Sequence, residues 1–278
     1  MKNILIPTDF SENSRTAIQF AMELFGSNYV SYHIINAYFP PVSGPETSIA
    51  VHTMLKDNSE KSMELLVTAI TTDQRFESYD IKYASVYGDL EYVLDKQIRS
   101  RKIDLVVMGT GGASGVKELF VGSKTSAILK RINIPMIVVP SGTKYTGLRQ
   151  MLLAVDNKAE LKSLENLMRD IPCVERSGLN VLLLNESSVG DLGADKIGLN
   201  EILPNANFID LSGSYSELSE LEMIINEVVN AKKVDMIMMV KHKRGFWDSI
   251  FSESKTQQIC MHTTTPLLVV NEELELVN

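Results

Sequence analysis

The chain has few cysteines and no excess of positive charge. Its 278 residues include two cysteines, Cys173 and Cys260, which are far apart and lack the paired spacing of a metal site. Such sparse cysteine is typical of a reducing compartment, so we expect ordinary thiols and no disulfide. The net charge of −8 argues against a broad electrostatic footprint on nucleic acid or anionic lipid. Small ligands and protein partners are the classes of partner that this composition favours.

Long apolar runs are also lacking at the start of the chain. The first residues, MKNILIPTDF, carry an apolar run of three residues before Pro7 and Asp9, which fits neither a signal peptide nor a membrane span. An apolar content of 44% is enough for two full cores in a chain of this length. We therefore expect a globular cytoplasmic protein.

Several signatures of catalysis are missing. There is no GxxxxGK[ST] loop, no GxSxG elbow and no HExxH pair, and Ser114 stands where a dinucleotide fingerprint beginning at Gly109 needs its third glycine. His33 lies within a predicted strand and is expected to be a core or sheet-face residue, while His52 and His262 have no companions at metal spacing. We therefore assign no catalytic residue and no metal site.

Apolar segments alternate with amphipathic ones through the first half. The runs NILIPTD, VSYHIINAY, IKYASVYG, DLVVMG and PMIVVP predict five strands. The first helix is predicted to be capped by Ser11 and to end at Gly26. Strands that alternate with helices predict a doubly wound parallel α/β sheet, for which we take the order 3-2-1-4-5.

A long second helix is predicted from about Thr47 to Thr72. The residues taken to mark its apolar positions are Met54, Leu65, Leu66 and Ile70.

The second half repeats the plan of the first. Six residues recur at a constant offset of 131: Asp104, Ser123, Lys124, Thr125, Pro135 and Val138 are matched by Asp235, Ser254, Lys255, Thr256, Pro266 and Val269. At the front, Asp9 matches Asp156 at an offset of 147. The chain is therefore predicted to hold two tandem domains of five parallel strands each, 1–143 and 147–278.

A glycine pattern follows the fourth predicted strand. Gly109, Gly112, Gly122 and Ser123 have the spacing glycine, two residues, glycine, nine residues, glycine, serine. Glycines let the backbone approach a ligand closely, and the N–H groups of the next helix favour a phosphate. In the predicted strand order this loop faces Asp9 across the ligand crevice, so nucleotide binding is the leading hypothesis.

These residues resemble the universal stress protein family. The segments IPTDFSENS and MGTGGASGVKELFVGSKTSAIL are similar to its two signature regions, including the full glycine spacing of its ATP-binding members. The resemblance covers the whole chain as a tandem of two domains with the flavodoxin-like fold. It implies that the first domain binds ATP, with magnesium or manganese on the phosphates. The nucleotide contacts that it implies are Pro7, Thr8, Asp9, Ile34, Met108, Gly109, Gly111, Gly112, Gly122, Ser123, Lys124 and Thr125.

The second half departs from the glycine pattern. Val240, Lys243 and Glu253 stand at the three glycine positions, so we expect it not to bind ATP. The resemblance further implies that the two domains meet through the terminal strands PMIVV and PLLVV as an internal pseudo-dimer, and that two chains form a homodimer.

Three functions are left open by the sequence. The first is a regulatory stress-response protein that binds an adenine nucleotide without requiring catalysis. The second is an enzyme that uses ATP or hydrolyses it slowly. The third is an interaction module that carries no nucleotide.

Overall fold

A computed structural model describes residues 2–40, 49–110, 123–156, 177–184, 203–209, 218–241 and 264–271. Its strands are β1 (Lys2–Pro7), β2 (Val30–Tyr38), β3 (Asp80–Tyr87), β4 (Leu105–Gly109), β5 (Met136–Val139), β6 (Gln150–Asp156), β7 (Gly178–Leu184), β8 (Asn207–Ile209), β9 (Met236–Lys241) and β10 (Leu267–Asn271). The described helices are α1 (Glu12–Phe25), α2 (Ile49–Thr72), α3 (Leu90–Arg101), α4 (Ser123–Arg131) and α5 (Leu218–Lys232).

The strands form one sheet in the order β3-β2-β1-β4-β5-β10-β9-β6-β7-β8. The first five have the expected order 3-2-1-4-5. The last five have the same order when β6 to β10 are renumbered 1 to 5 and the sheet is read from its other edge, at β8. All described pairs are parallel except the central one, where β10 runs antiparallel to β5 with Leu268 opposite Ile137. The predicted strand order is therefore confirmed, and the two five-stranded sheets are continuous rather than separate.

The inner strands are apolar on both faces because both faces are covered. Along β1, Ile4 and Ile6 point into the core beneath α1 and α2, while Leu5 points into the core beneath α3 and α4. All three side chains are fully buried. This alternation explains why the strands read as continuous hydrophobic runs in a doubly wound fold.

The first helix begins and ends where its sequence predicts. Ser11 accepts a hydrogen bond from the backbone N–H of Ser14 at 3.2 Å, which satisfies one of the free donors of the first turn. At the other end Gly26 has φ = 69°, and its N–H donates to the carbonyl of Met22 at 2.9 Å. A left-handed residue at this position favours glycine.

The predicted apolar face of α2 is partly wrong. Leu66 is buried, but Met54 and Leu65 have exposed fractions of 58% and 64%. The buried residues of α2 are Ser59, Met63 and Leu66, and Ile70 is partly buried and packs against the same core, as predicted. The first turns of α2 are almost fully exposed, so hydrophobicity there does not mark a core position.

Candidate functional site

The carboxyl ends of β1 and β4 lie side by side at the centre of the first half. The two strands are parallel neighbours, with Ile4 opposite Leu105 and Leu5 opposite Val106. The helix that follows β1 packs on one face of the sheet, and the helix that follows β4 packs on the other. This is the point at which an open α/β sheet forms a ligand crevice.

The segment after β1 is held by several hydrogen bonds. Thr8 is 5% exposed, and its backbone N–H donates to the carbonyl of Ile35 at 2.8 Å. Its hydroxyl accepts from the N–H of Phe10 at 3.0 Å and lies 2.9 Å from the Ser14 hydroxyl. Phe10 has φ = 66°, which is an outlier for a bulky residue. Such strain persists where the surroundings impose it, often at a ligand site.

Asp9 presents an exposed carboxylate at the mouth of this crevice. Its Oδ1 accepts from the backbone N–H of Ser11 at 3.0 Å and from the Ser11 hydroxyl. Within the described residues Oδ2 makes no hydrogen bond. Asp9 is therefore oriented by the start of α1 and still offers an acceptor to a ligand donor such as a ribose hydroxyl or an adenine amine.

Gly109 has a packing role that the sequence does not reveal. A Cβ at this position would lie 2.9 Å from the side chain of Asn13 and 3.0 Å from its backbone oxygen. Because α1 crosses the end of β4 this closely, a side chain cannot be placed there without moving the helix. The next residue, Thr110, is buried and donates its N–H to the carbonyl of Val139 at 3.1 Å.

The other predicted contact residues fall into three groups. Pro7 and Ile34 are buried in strands, and Ile34 lies opposite Ile6 with no exposed surface, so its contact with a nucleotide stays a prediction. Met108 is half-buried at the end of β4, and Thr125 is buried in the first turn of α4. The remaining residues, Gly111, Gly112 and Gly122 together with the side chains of Ser123 and Lys124, lie outside the described part of the structure.

A buried polar network at this edge was missed by the sequence analysis. The amide of Asn36, at the end of β2, donates to the carbonyl of Thr8 at 2.7 Å. Ser59 on α2 donates to Asn36 Oδ1 at 2.6 Å, and its oxygen lies 2.7 Å from the hydroxyl of Ser85 on β3. Polar residues inside predicted apolar faces were the signal that could have revealed this network.

His33 belongs to a separate cluster in the middle of β2. Its Nε2 lies 3.1 Å from Asn3 Oδ1, and its Nδ1 lies 3.2 Å from a guanidinium nitrogen of Arg101. Burial, followed by the positive charges of Arg101 and Lys82, lowers the pKa of His33 to about 4. His33 is therefore neutral near pH 7 and acts as a structural residue of the sheet, as expected for its position.

The described residues bear on two further properties, metal binding and membrane insertion. No group of three or more His, Cys, Asp or Glu side chains in the described ranges is arranged to hold a metal ion. Over the same ranges, no helix combines the length and the apolar character that a bilayer crossing needs.

The fold is that of a doubly wound α/β protein with a candidate ligand site at the strand switch point. A family model described as the universal stress protein family matches residues 1–140. The chain belongs to the universal stress protein family.

Relatives of known structure or curated sequence agree with this assignment. A universal stress protein of Methanocaldococcus jannaschii is 24% identical over 152 residues, which cover 50% of this chain and 94% of the relative. A universal stress protein of Archaeoglobus fulgidus has a TM-score of 0.68 at 19% identity, with 97% of this chain and 96% of that chain covered. A putative universal stress protein of Pseudomonas aeruginosa has a TM-score of 0.62 at 11% identity, with 98% and 93% covered. The last two share their fold with nearly the whole chain.

Proposed function

We propose that the first half of this chain binds an adenine nucleotide, ATP, and that the protein acts as a regulatory component of a stress response. The observation that carries this proposal is the parallel pairing of β1 with β4, because the segment that carries the exposed Asp9 and the start of the glycine loop at Gly109 then follow neighbouring strands at the same edge of the sheet. A role of this kind requires the nucleotide to bind but does not require a chemical step.

The chemistry of the two segments supports one placement of the nucleotide. Asp9 would accept a hydrogen bond from the ribose or adenine, and the glycine loop with Ser123 would hold the phosphates at the start of α4. A magnesium or manganese ion would be bound mainly by the phosphate oxygens, since the described residues provide no carboxylate cluster for it.

We also propose that residues 1–143 and 147–278 are two tandem domains of the same family, of which the second has lost nucleotide binding. The shared strand order and the β5–β10 pairing support this organisation as an internal pseudo-dimer. Val240 supports the loss of binding because a buried side chain stands where the first half has Gly109. Association of two chains and a cytoplasmic location belong to the same proposal.

Calorimetric titration with ATP tests the proposed function. We compare wild-type protein with Asp9→Ala and with Asp156→Ala, the matching change in the second half. Loss of a charged acceptor weakens binding by about 2 kcal/mol, so Asp9→Ala should raise the Kd for ATP by about 30-fold. Asp156→Ala should leave it unchanged.

Gly112→Val, which places a side chain in the glycine loop, should abolish binding. If wild-type protein binds no adenine nucleotide, the proposal fails.

One observation favours a protein-interaction role as the second candidate. Four rings, those of Tyr38, Phe39, His52 and Tyr87, form a continuous cluster with centroid separations of 4.9 to 6.0 Å where β2 and β3 end. Phe39 and Tyr87 are 47% and 45% exposed, and exposed aromatic clusters are frequent at interfaces. Absence of nucleotide binding in the titration would favour this candidate. Steady ATP turnover that is lost in Asp9→Ala would instead favour an enzyme.

A further inference from the structure

We propose that Asn36 is a positioning residue for nucleotide binding, and that Ser59 and Ser85 hold it in its working orientation. The inference rests on the proposed function, since it concerns the segment Thr8–Asp9 that would contact the nucleotide. It adds residues from β2, β3 and α2, none of which lies in the glycine loop or in the segment after β1.

The first step is the contact between Asn36 and Thr8. The last ladder pair of β1 and β2 is Pro7 with Ile35, and the backbone N–H of Thr8 donates to the Ile35 carbonyl. The Asn36 side chain then binds the Thr8 carbonyl at 2.7 Å. Both backbone polar groups of Thr8 are therefore fixed by β2, one residue beyond the end of β1.

The second step is the orientation of the Asn36 amide. Ser59 donates to its Oδ1 at 2.6 Å, so that the NH₂ group points to Thr8. A flipped amide would place Oδ1 against the Thr8 carbonyl oxygen, which is repulsive. Asn36, Ser59 and Thr8 are 9%, 5% and 5% exposed, and at this burial water cannot readily replace a lost partner.

The third step connects Thr8 to the ligand-facing carboxylate. The Thr8 hydroxyl accepts from the N–H of Phe10, the residue with left-handed backbone, and Asp9 lies between these two residues. Loosening Thr8 would let Phe10 relax to an ordinary conformation and would turn the Asp9 carboxylate away from the crevice. Fixed donors and acceptors lower the cost of binding because they do not have to be ordered by the ligand.

The position of Ser59 supports a specific role. It lies on the buried stripe of α2, four residues before Met63 and seven before Leu66. An apolar residue would serve packing at this position, whereas a hydroxyl stabilises the fold there only if it is hydrogen-bonded. Its partners are the side chains of Asn36 and Ser85, so its role is to complete the network that fixes Thr8.

The test measures ATP affinity and thermal stability together in the full chain. We expect Ser59→Ala to raise the Kd for ATP about 5-fold and Asn36→Leu to raise it about 30-fold. The matched control is Tyr32→Phe, which removes a hydroxyl that donates to the carbonyl of Gly26 at 2.6 Å from a fully buried residue of the same strand as Asn36. It should lower Tm, as Ser59→Ala does, through the loss of a buried hydrogen bond and should leave Kd within 2-fold. If Ser59 and Asn36 had a merely structural role, their variants would lower Tm as the control does and would also leave Kd within 2-fold.

The outcomes distinguish the two proposals. Wild-type protein that binds no ATP overturns the proposed function and the positioning role with it. Wild-type protein that binds ATP, with Ser59→Ala and Asn36→Leu binding equally well, overturns the positioning role alone. If Asn36→Leu does not fold, Ser85→Ala replaces it as the second variant, and we expect this variant to raise the Kd for ATP about 3-fold. Unchanged ATP affinity in both Ser59→Ala and Ser85→Ala would overturn the positioning role.

Discussion

The two halves of the chain are alike at the amino edge of the sheet and differ at the carboxyl edge. Asp104 accepts a hydrogen bond from the N–H of Asn3 at 2.7 Å, and Asp235 accepts from the N–H of Gln150 at 2.9 Å in the same way. Lys102 and Lys233, which follow α3 and α5, have φ angles of 50° and 52°. The same hydrogen bond from a backbone N–H to an aspartate carboxylate thus closes the same junction in both halves.

At the carboxyl edge the correspondence breaks down. Gly109 ends β4 against Asn13, whereas Val240, at the matching position in β9, is 2% exposed in the core. A junction that holds the fold has to be the same wherever the fold is repeated. A ligand site has to be kept only where the ligand binds, which agrees with a nucleotide site in the first half alone.

The strongest test of the shared amino edge is Asp235→Ala against Asp104→Ala. Asp235 accepts from the N–H groups of both Arg149 and Gln150, at 2.8 and 2.9 Å, and its side chain is 15% exposed. Asp104 makes the single bond to Asn3 and is exposed. Charge-assisted bonds contribute about 1.5 kcal/mol each, so we expect losses of about 3 and about 1.5 kcal/mol in urea unfolding. Equal losses would contradict this comparison.

The carboxyl edge is tested by Gly109→Ala. The added methyl group would meet both the side chain and the backbone of Asn13, so overpacking should destabilise the protein by about 2.5 kcal/mol. Gly178→Ala is the control in the second half. Its new Cβ would meet the flexible end of the Gln150 side chain, which can move, and a loss below about 1 kcal/mol is expected. The free energies of unfolding of both variants decide whether Gly109 is required by packing.

A third comparison replaces His33 by asparagine, which is the residue at the matching position 180 in the second half. Asn180 donates to Gln150 Oε1 at 3.1 Å, as the His33 ring pairs with Asn3. The pKa of His33 is about 4 in the folded protein and about 6.5 in the unfolded chain, so the unfolded chain binds more protons between these values.

Stability from the neutral His33 ring is therefore complete above pH 6.5 and is lost as the pH falls from 6.5 towards 4. Between pH 7 and pH 5 we expect wild-type protein to lose about 2 kcal/mol more than His33→Asn. Unfolding curves of the two proteins at pH 7, 6 and 5 provide the measurement. Parallel pH profiles would show that His33 is not buried as described.

The smallest effect concerns the residues after α3 and α5. Both Lys102 and Lys233 occupy the left-handed region, which glycine adopts without a steric penalty. Lys102→Gly and Lys233→Gly should each stabilise the protein by up to about 1 kcal/mol, and by similar amounts. Thermal unfolding of the two single variants checks whether the two positions are equivalent. A rise in Tm for only one of the variants would contradict this prediction.

Local patterns of the sequence predicted most of the fold. Continuous apolar runs marked the strands, and Ser11 and Gly26 marked the ends of α1, because these signals depend on neighbouring residues. The error in α2 has a different cause. Met54 has the hydrophobicity of a core residue but precedes the buried residues of α2, which begin at Ser59. Leu65 lies within the buried part of the helix but is exposed, next to the buried Leu66. Hydrophobicity alone does not show which side of a long helix meets a sheet.

With the order 3-2-1-4-5 taken for the predicted sheet, the sequence analysis also predicted that the segment containing Asp9 and the loop beginning at Gly109 share one edge. The roles of individual residues there could not be predicted. Gly109 is a glycine because of Asn13, nearly a hundred positions away, and Asn36 binds Thr8 through a side chain that lies inside an apparently apolar strand. The contact of Ile34 with a nucleotide stays a prediction, and its side chain is fully buried in β2.

The amino-acid sequence by itself determined the class of fold, the five strands of the first half and the two segments of its candidate site, since these follow from periodicity and from residues close together in the chain. Tertiary structure alone decided the antiparallel β5–β10 junction, the packing demand at Gly109 and the network from Thr8 through Asn36 to Ser59. Those features depend on distances between residues that are remote in sequence, and such distances are fixed only when the chain is folded.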